Sequence, residues 1–178
     1  MIVMDKYIFL DFDGVITTQQ SKYNLDPEKC KLIQKIVDAT GAKIVITSSW
    51  RQDTFEATIE KLKNVDGHRV PFVVSWIDNI IGITIRAYQY FTQGTGVYFY
   101  IPRGVEIKQW IDTHVYSTIN SKTFKHKKVG IDFQYVILDD DADMLYEHRN
   151  HFIKTNMCKG ISHAQANKAI KILNSKLV

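Results

Sequence analysis

Residues 6–15 read KYIFLDFDGV, an apolar run that ends in two carboxylates one residue apart and then a glycine. Side chains alternate along a strand, so Asp11 and Asp13 point to the same side of the extended chain. Gly14 permits a sharp turn or a close backbone approach after them. Two carboxylates this close repel, and a cation or a proton usually offsets the repulsion. On its own an Asp-Gly turn after an ordinary strand would look the same, so further segments must decide.

Three later segments favour a site over a turn. Residues 43–47, KIVIT, form a second apolar strand, which ends in small hydroxyl side chains that can bind an anion. Residues 135–138, YVIL, form a third, which ends in carboxylates, and open α/β sheets bind ligands at such strand ends. An arginine opens a helical stretch between these two strands, where a cation can face a bound phosphate. The polar residues at these points are Ser48, Ser49, Arg51, Arg103, Asp139, Asp140 and Asp143.

Strands and helices alternate along the chain, which predicts an α/β fold with a doubly wound, mostly parallel sheet flanked by helices. Asp26 can cap the first helix, and Pro27 suits its first position. Ser162 and Gln165 have the spacing of a capping box that opens the last helix. The further predicted elements are helices at 26–40, 53–63, 104–116 and 163–173, and strands at 70–74 and 152–155.

Two segments do not fit this alternation. Residues 78–101 are rich in tyrosine and phenylalanine around Gly94, and we expect a small insertion there. It would be a minimal cap or flap whose aromatic rings stack on a base, or else a packing or oligomer contact. Residues 117–131 carry a lysine cluster, which can hold phosphates or form a solvated loop.

Length and composition set broad limits. The 178 residues are typical of one domain, so we expect a single domain over 1–178. A hydrophobic content of 45% with 24% charged residues is ordinary for a globular protein. Neither a membrane span nor a signal peptide is expected, which favours a cytoplasmic location. The net charge of +4 suits an anionic substrate, and Cys30 and Cys158 are predicted to be free thiols.

The motif order resembles the haloacid dehalogenase-like (HAD) phosphohydrolase superfamily. That family runs from a nucleophilic Asp-x-Asp, through a strand-end Ser or Thr and a Lys or Arg, to an acidic pair. Asp11 to Asp13 is similar to the first motif, Ser48 to the second, and Asp139 with Asp140 to the fourth. Arg103 stands where the third motif usually has a lysine, and Lys108 is the alternative. The stretches SSWR (48–51), RGVEIKQWI (103–111) and LDDDADM (138–144) are more narrowly similar to the small HAD domains of multi-domain RNA repair proteins.

The resemblance implies a Mg²⁺-dependent phosphomonoesterase that acts on a phosphorylated small molecule, such as a nucleotide, or on a nucleic-acid end. Asp11 would be the nucleophile that forms an aspartyl-phosphate, and Asp13 would protonate the leaving oxygen. The phosphoryl group would be bound by Ser48, Ser49, Arg51 and Arg103. Mg²⁺ would be held by Asp11, the Asp13 backbone carbonyl, Asp140 and, more weakly, Asp139, with Asp143 orienting these ligands.

Two other functions remain open at this point. One is a catalytically silent HAD-like module that binds nucleic acid or a partner protein. The other is a phospho-acceptor receiver domain, which also gathers carboxylates, a hydroxyl and a cation around Mg²⁺. The complete Asp-x-Asp at the first strand argues against both. The sequence leaves the exact substrate and the oligomeric state undecided.

Overall fold

The computed structural model describes residues 4–63, 75–86, 88–90, 98–115 and 132–175. In chain order its strands are β1 Asp5–Leu10, β2 Lys43–Ile46, β3 Ile80–Ile83, β4 Tyr88–Tyr90, β5 Tyr98–Tyr100, β6 Phe133–Asp139 and β7 Phe152–Lys154. Five of them form one sheet in the order β3-β2-β1-β6-β7, and every pairing in it is parallel. The predicted parallel α/β sheet is confirmed.

Helices cover both faces of this sheet. They are α1 Pro27–Thr40, α2 Phe55–Lys63, α3 Arg103–His114 and α4 His163–Asn174. Alternate residues of β1 divide between two cores: Ile8 and Leu10 pack with residues of α1, α2 and α4, whereas Tyr7 and Phe9 pack with α3. A sheet buried on both faces needs apolar side chains at successive positions, which the continuous run in residues 7–10 supplies.

The predicted helix starts are confirmed. Asp26 caps α1, since its side chain accepts from the backbone N–H groups of Glu28 and Lys29. α4 begins with a complete capping box, in which Ser162 and Gln165 each bond to the backbone of the other. These caps satisfy amide groups that have no partner within the helix.

The edge strand β3 differs from the prediction. The sequence placed the insertion at 78–101, but Ile80–Ile83 pairs with β2 in the central sheet, so the start at residue 78 was wrong. Gly82 obscured this strand, because glycine weakens a strand pattern. The structure explains why a glycine stands at this position: a Cβ at Gly82 would lie 3.3 Å from Nε1 of Trp110 on α3. The strand predicted at 70–74 lies outside the described residues.

The remaining part of the predicted insertion holds β4 and β5, which form a separate antiparallel pair. Its assignment as a cap, like that of one domain over 1–178, stays a prediction. The lysine cluster of residues 117–131 lies outside the described residues. Within the described ranges, no helix has the length and apolar composition needed to cross a membrane.

Candidate functional site

The parallel register brings three strand ends together. Leu10 at the end of β1 is paired with Ile46 of β2 and with Leu138 of β6. The ladder continues one step further, because the Thr47 N–H donates to the Leu10 carbonyl and the Asp11 N–H donates to the Leu138 carbonyl, each at 3.0 Å. The polar residues that follow these strands are therefore held by sheet hydrogen bonds at one edge.

Three carboxylates meet at this edge. One oxygen each from Asp11, Asp139 and Asp140 lie within 4.8 Å of one another. Asp11 is 4% exposed and Asp139 is fully buried. Oδ1 of Asp139 accepts from the Asp141 N–H at 2.9 Å, but its Oδ2 is buried with no hydrogen-bond partner among the described residues. A buried carboxylate oxygen without a donor is unfavourable unless a cation satisfies it.

The electrostatics of these carboxylates also favour a bound cation. Burial, and then the neighbouring charge of Asp11, raise the pKa of Asp139 to about 7. Burial likewise raises the pKa of Asp11, although the guanidinium of Arg103 opposes the shift. The pKa of Asp140 is also raised, mainly by burial. A bound cation stabilises carboxylates in their charged form. The raised pKa values therefore indicate that the ionised cluster is unfavourable without a cation.

Gly14 allows Asp140 to lie close to the backbone that follows β1. Its backbone has φ +70°, and a Cβ placed on it would lie only 2.4 Å from Cγ of Asp140. Any other residue would therefore both strain the backbone and push Asp140 away from Asp11. The sequence predicted a turn or a close approach at Gly14, and the structure shows which residue makes that approach.

Arg103 is the cation of the site. Its Nη1 donates to Asp11 Oδ1 at 2.9 Å and to the Thr47 carbonyl at 2.7 Å, and lies 3.5 Å from Asp139 Oδ2. Arg103 is the first residue of α3, and its backbone N–H donates to Asp143 Oδ2 at 2.8 Å. Asp143 thus holds the start of α3 at Arg103, and its expected role in orienting the metal ligands stays a prediction.

Lys108, the alternative cation, lies elsewhere on α3. Its ammonium group pairs with Asp112, and the side chain lines a small cavity that also includes Phe133 and Glu147. Of the two candidates, only Arg103 contacts the carboxylate cluster in the described part of the chain.

Asp13 faces the loop after β2. Its Oδ1 accepts from the Thr17 hydroxyl at 2.7 Å and from the Trp50 indole N–H at 3.2 Å, and its Oδ2 accepts from the Ser49 hydroxyl at 3.4 Å. Ser48 is buried, and its hydroxyl accepts from the Trp50 backbone N–H at 3.2 Å. The sequence did not predict that Thr17 and Trp50 contact Asp13: Trp50 stands in the SSWR stretch, but an indole is not a usual ligand of phosphate or metal, and Thr17 belongs to no quoted motif.

Arg51 takes a different position from the one expected. It was predicted to bind substrate, but the residue is 5% exposed and its Nη2 lies 2.6 Å from Glu106 Oε2 on α3. Its Nη1 donates to the carbonyls of Thr47 and Ser48. We therefore assign Arg51 to positioning the loop. The sequence missed Glu106, although its place three residues after Arg103 indicates that both face the same side of α3.

The parallel sheet and the acidic strand ends define a HAD-like domain. The chain belongs more narrowly to the family described as the HAD domain in Swiss Army Knife RNA repair proteins, whose model matches residues 7–166. No curated protein and no solved structure matches it. The family match confirms the resemblance seen in the motifs, and it connects the domain with RNA repair.

Proposed function

We propose that this domain is a Mg²⁺-dependent phosphomonoesterase that acts through an aspartyl-phosphate on nucleotides or nucleic-acid ends. One observation carries the proposal: Asp11 lies 2.9 Å from a guanidinium nitrogen and close to two carboxylates from another strand end. A nucleophile, a cation for the phosphoryl charge and a set of metal ligands are thus within one small volume. Membership in an RNA repair family supports the substrate class.

The donor set fits the metal. Asp11, Asp139 and Asp140 supply carboxylate oxygens, with the Asp13 backbone carbonyl as a further ligand in the proposal, and Mg²⁺ prefers such hard oxygen ligands. Oδ2 of Asp139 accepts no hydrogen bond from the described residues and lies 3.5 Å from the Arg103 guanidinium, so a bound cation would add to its stabilisation. The close approach at Gly14 keeps Asp140 beside the same space. When bound, Mg²⁺ would neutralise these carboxylates and draw charge from the phosphoryl oxygens.

Two aspartates, Asp11 and Asp13, carry out the chemical steps of the proposed reaction. A carboxylate oxygen of Asp11 attacks phosphorus as the bond to the leaving oxygen breaks, and Asp13 gives that oxygen a proton. Asp13 then takes a proton from water, which attacks the phosphoryl group and frees phosphate and Asp11. Two donors bond to Asp13 Oδ1, whereas Oδ2 has only a contact of 3.4 Å with the Ser49 hydroxyl, so we assign the proton transfer to Oδ2.

The surrounding polar groups bind and orient the phosphoryl group in this proposal. Arg103 neutralises charge that builds on the phosphoryl oxygens, while Ser48 and Ser49 offer hydroxyls at the end of β2. Arg51 is assigned no contact with the phosphoryl group in this scheme. It holds the carbonyls of Thr47 and Ser48, and so fixes the loop whose hydroxyls face the phosphate.

The test is a panel of phosphomonoesters, including 3′- and 5′-phosphorylated oligonucleotides, assayed for phosphate release with Mg²⁺ and with EDTA. We expect release with Mg²⁺, none with EDTA, and none from folded Asp11→Asn protein. If no ester is cleaved while oligonucleotides still bind, the domain is the catalytically silent binding module instead. The cytoplasmic location expected from the sequence stays part of the proposal.

A further inference from the structure

A cavity of about 520 Å³ opens beside the candidate active site. It lies between the loop after β2, the start of α2 and the end of β3, on the side of β1 away from β6. Its walls are mixed: Phe55, Ile83 and Ile85 are apolar, while Gln52, Asp53 and Arg86 are polar or charged. The volume falls within the range of small-molecule sites, which are mostly apolar with a few polar groups.

The cavity has a fixed wall rather than a loose surface loop. Arg51 Nη2 donates to the Ile85 carbonyl at 3.2 Å as well as to Glu106, so it joins the β2 loop to the end of β3. Arg86 Nη2 donates to the carbonyls of Ser49 and Arg51 from the opposite direction. Both ends of the loop are therefore fixed before any ligand binds.

Two polar atoms in this wall lack partners. Oγ1 of Thr84 and Nε of Arg51 are buried, and neither has a hydrogen-bond partner among the residues that the structure describes. Thr84 and Arg51 both line the cavity. Unpaired buried polar groups are costly, so a polar ligand group that reached these two atoms would be stabilised.

The loop that forms part of the cavity wall also holds Asp13. Asp13, the proton donor to the leaving oxygen in the proposed reaction, accepts hydrogen bonds from the side chains of Ser49 and Trp50. These two residues directly precede Arg51, which lines the cavity. The cavity and the proposed proton donor therefore share one loop.

We infer that the cavity binds the nucleoside that carries the phosphate, with the base against Phe55 and Ile85 and the ribose hydroxyls near Gln52 and Asp53. This rests on the proposed function, to which it adds the residues that bind the nucleoside part of the substrate. A base needs apolar walls, and a carboxylate is suited to ribose hydroxyls. An alkyl group would leave the polar side chains of the wall without hydrogen-bond partners.

Adenosine, which carries no phosphate, tests the site without catalysis. Its binding would be followed by NMR through the backbone amides of residues 52–55 and 83–86. Phe55→Leu keeps apolar bulk but removes the ring, and should raise the Kd about tenfold, as expected for loss of base stacking. Ile85→Ser should weaken binding as well, and the matched control Ile81→Ser should not. Ile85 and Ile81 are similarly exposed, at 50% and 43%, but Ile81 is not among the cavity's lining residues.

A kinetic comparison adds a second readout. The ratio of kcat/KM for AMP to that for ethyl phosphate should exceed one, and it should fall in Phe55→Leu and Ile85→Ser while the ethyl phosphate rate is kept. Equal kcat/KM values for AMP and ethyl phosphate would overturn the inference. NMR shift changes on adenosine addition that map outside the cavity would also overturn it. Absence of adenosine binding would do so too. Adenosine binding at the cavity without hydrolysis of any ester would support the nucleoside site and reject the phosphatase.

Discussion

The guanidinium of Arg51 and the carboxylate of Glu106 form a buried ion pair, with 2.6 Å between Nη2 and Oε2. The pair connects the loop after β2 with α3, the helix that begins at Arg103. Arg51 and Arg103 also both donate to the carbonyl of Thr47. The cation of the candidate site and the loop that carries its hydroxyls are thus held by one hydrogen-bonded unit.

Removal of one partner of this ion pair should therefore strongly destabilise the fold. Glu106→Ala leaves a buried guanidinium without its counter-charge, and we expect a loss of about 3–5 kcal/mol in the free energy of unfolding. Urea unfolding measures this. Replacing both partners, as in Arg51→Met with Glu106→Leu, should recover part of the loss. Glu28→Ala breaks an exposed pair with Lys31 and should leave the unfolding midpoint unchanged, and an equal loss there would contradict the account.

Gly14→Ala and Gly41→Ala form a matched pair. Both glycines have left-handed backbones, at φ +70° and +66°, so each substitution should cost about 1–2 kcal/mol in stability. A Cβ at Gly41 meets no atom within 4 Å, whereas one at Gly14 meets Asp140. Only Gly14→Ala should lower Mg²⁺ affinity, by about 10–100-fold. Calorimetric titration with Mg²⁺ tests this, and equal affinities in the two variants would show that Asp140 is not a ligand.

Substitutions of Asp140 and Asp143 should have different effects, because Asp140 is proposed to bind the metal and Asp143 contacts Arg103. Asp140→Ala removes an oxygen of the carboxylate cluster and should weaken Mg²⁺ binding. Asp143→Ala removes the acceptor of the Arg103 backbone N–H, so it should lower kcat with little change in Mg²⁺ affinity. The reverse ranking in a metal titration would mean that ligand and orienting residue have been exchanged.

Without metal, the protein should lose stability as the pH rises from about 4 to about 7. The pKa of Asp139 goes from an ordinary 3.8 to about 7 on folding, because of burial and then the charge of Asp11. In that window the folded chain keeps a proton that the unfolded chain has released, so the free energy of unfolding falls with pH.

Unfolding in EDTA across this window provides the check. Asp139→Asn cannot ionise and should flatten the profile, whereas Asp38→Asn, at an exposed position of α1, should leave the profile unchanged. Mg²⁺ should restore stability at the upper end of the window, since it binds the ionised carboxylates. A profile that Asp139→Asn does not change would contradict the link between burial and proton binding.

Much of this architecture could be predicted from the sequence, because the governing signals are local. The apolar run before Asp11 predicts a buried strand, and the caps at Asp26 and Ser162 mark helix starts. Parallel strands then bring their carboxyl ends together, which accounts for the carboxylate cluster without any knowledge of distances. The family's motif order supplied the expected role of Arg103, and the structure places that residue against Asp11.

The errors arose where tertiary contacts outweigh local pattern. Gly82 weakens the strand pattern, yet β3 pairs with β2 in the sheet, and the nearby Trp110 leaves little room for a side chain at this position. That Arg51 binds substrate stays a prediction, but the ion pair of its guanidinium was not foreseen. Its actual partner, Glu106, is 55 residues away in the chain, and no spacing rule connects the two.

The most direct test of the central claim is whether residue 11 carries the phosphoryl group during turnover. Wild-type protein would be mixed with substrate and Mg²⁺, quenched with borohydride, which reduces an acyl phosphate to an alcohol, and analysed by peptide mass spectrometry. The account predicts homoserine at position 11 alone, dependent on substrate, together with no phosphate release by folded Asp11→Asn protein. Steady hydrolysis by that variant, or reduction at another carboxylate with Asp11 unmodified, would contradict it.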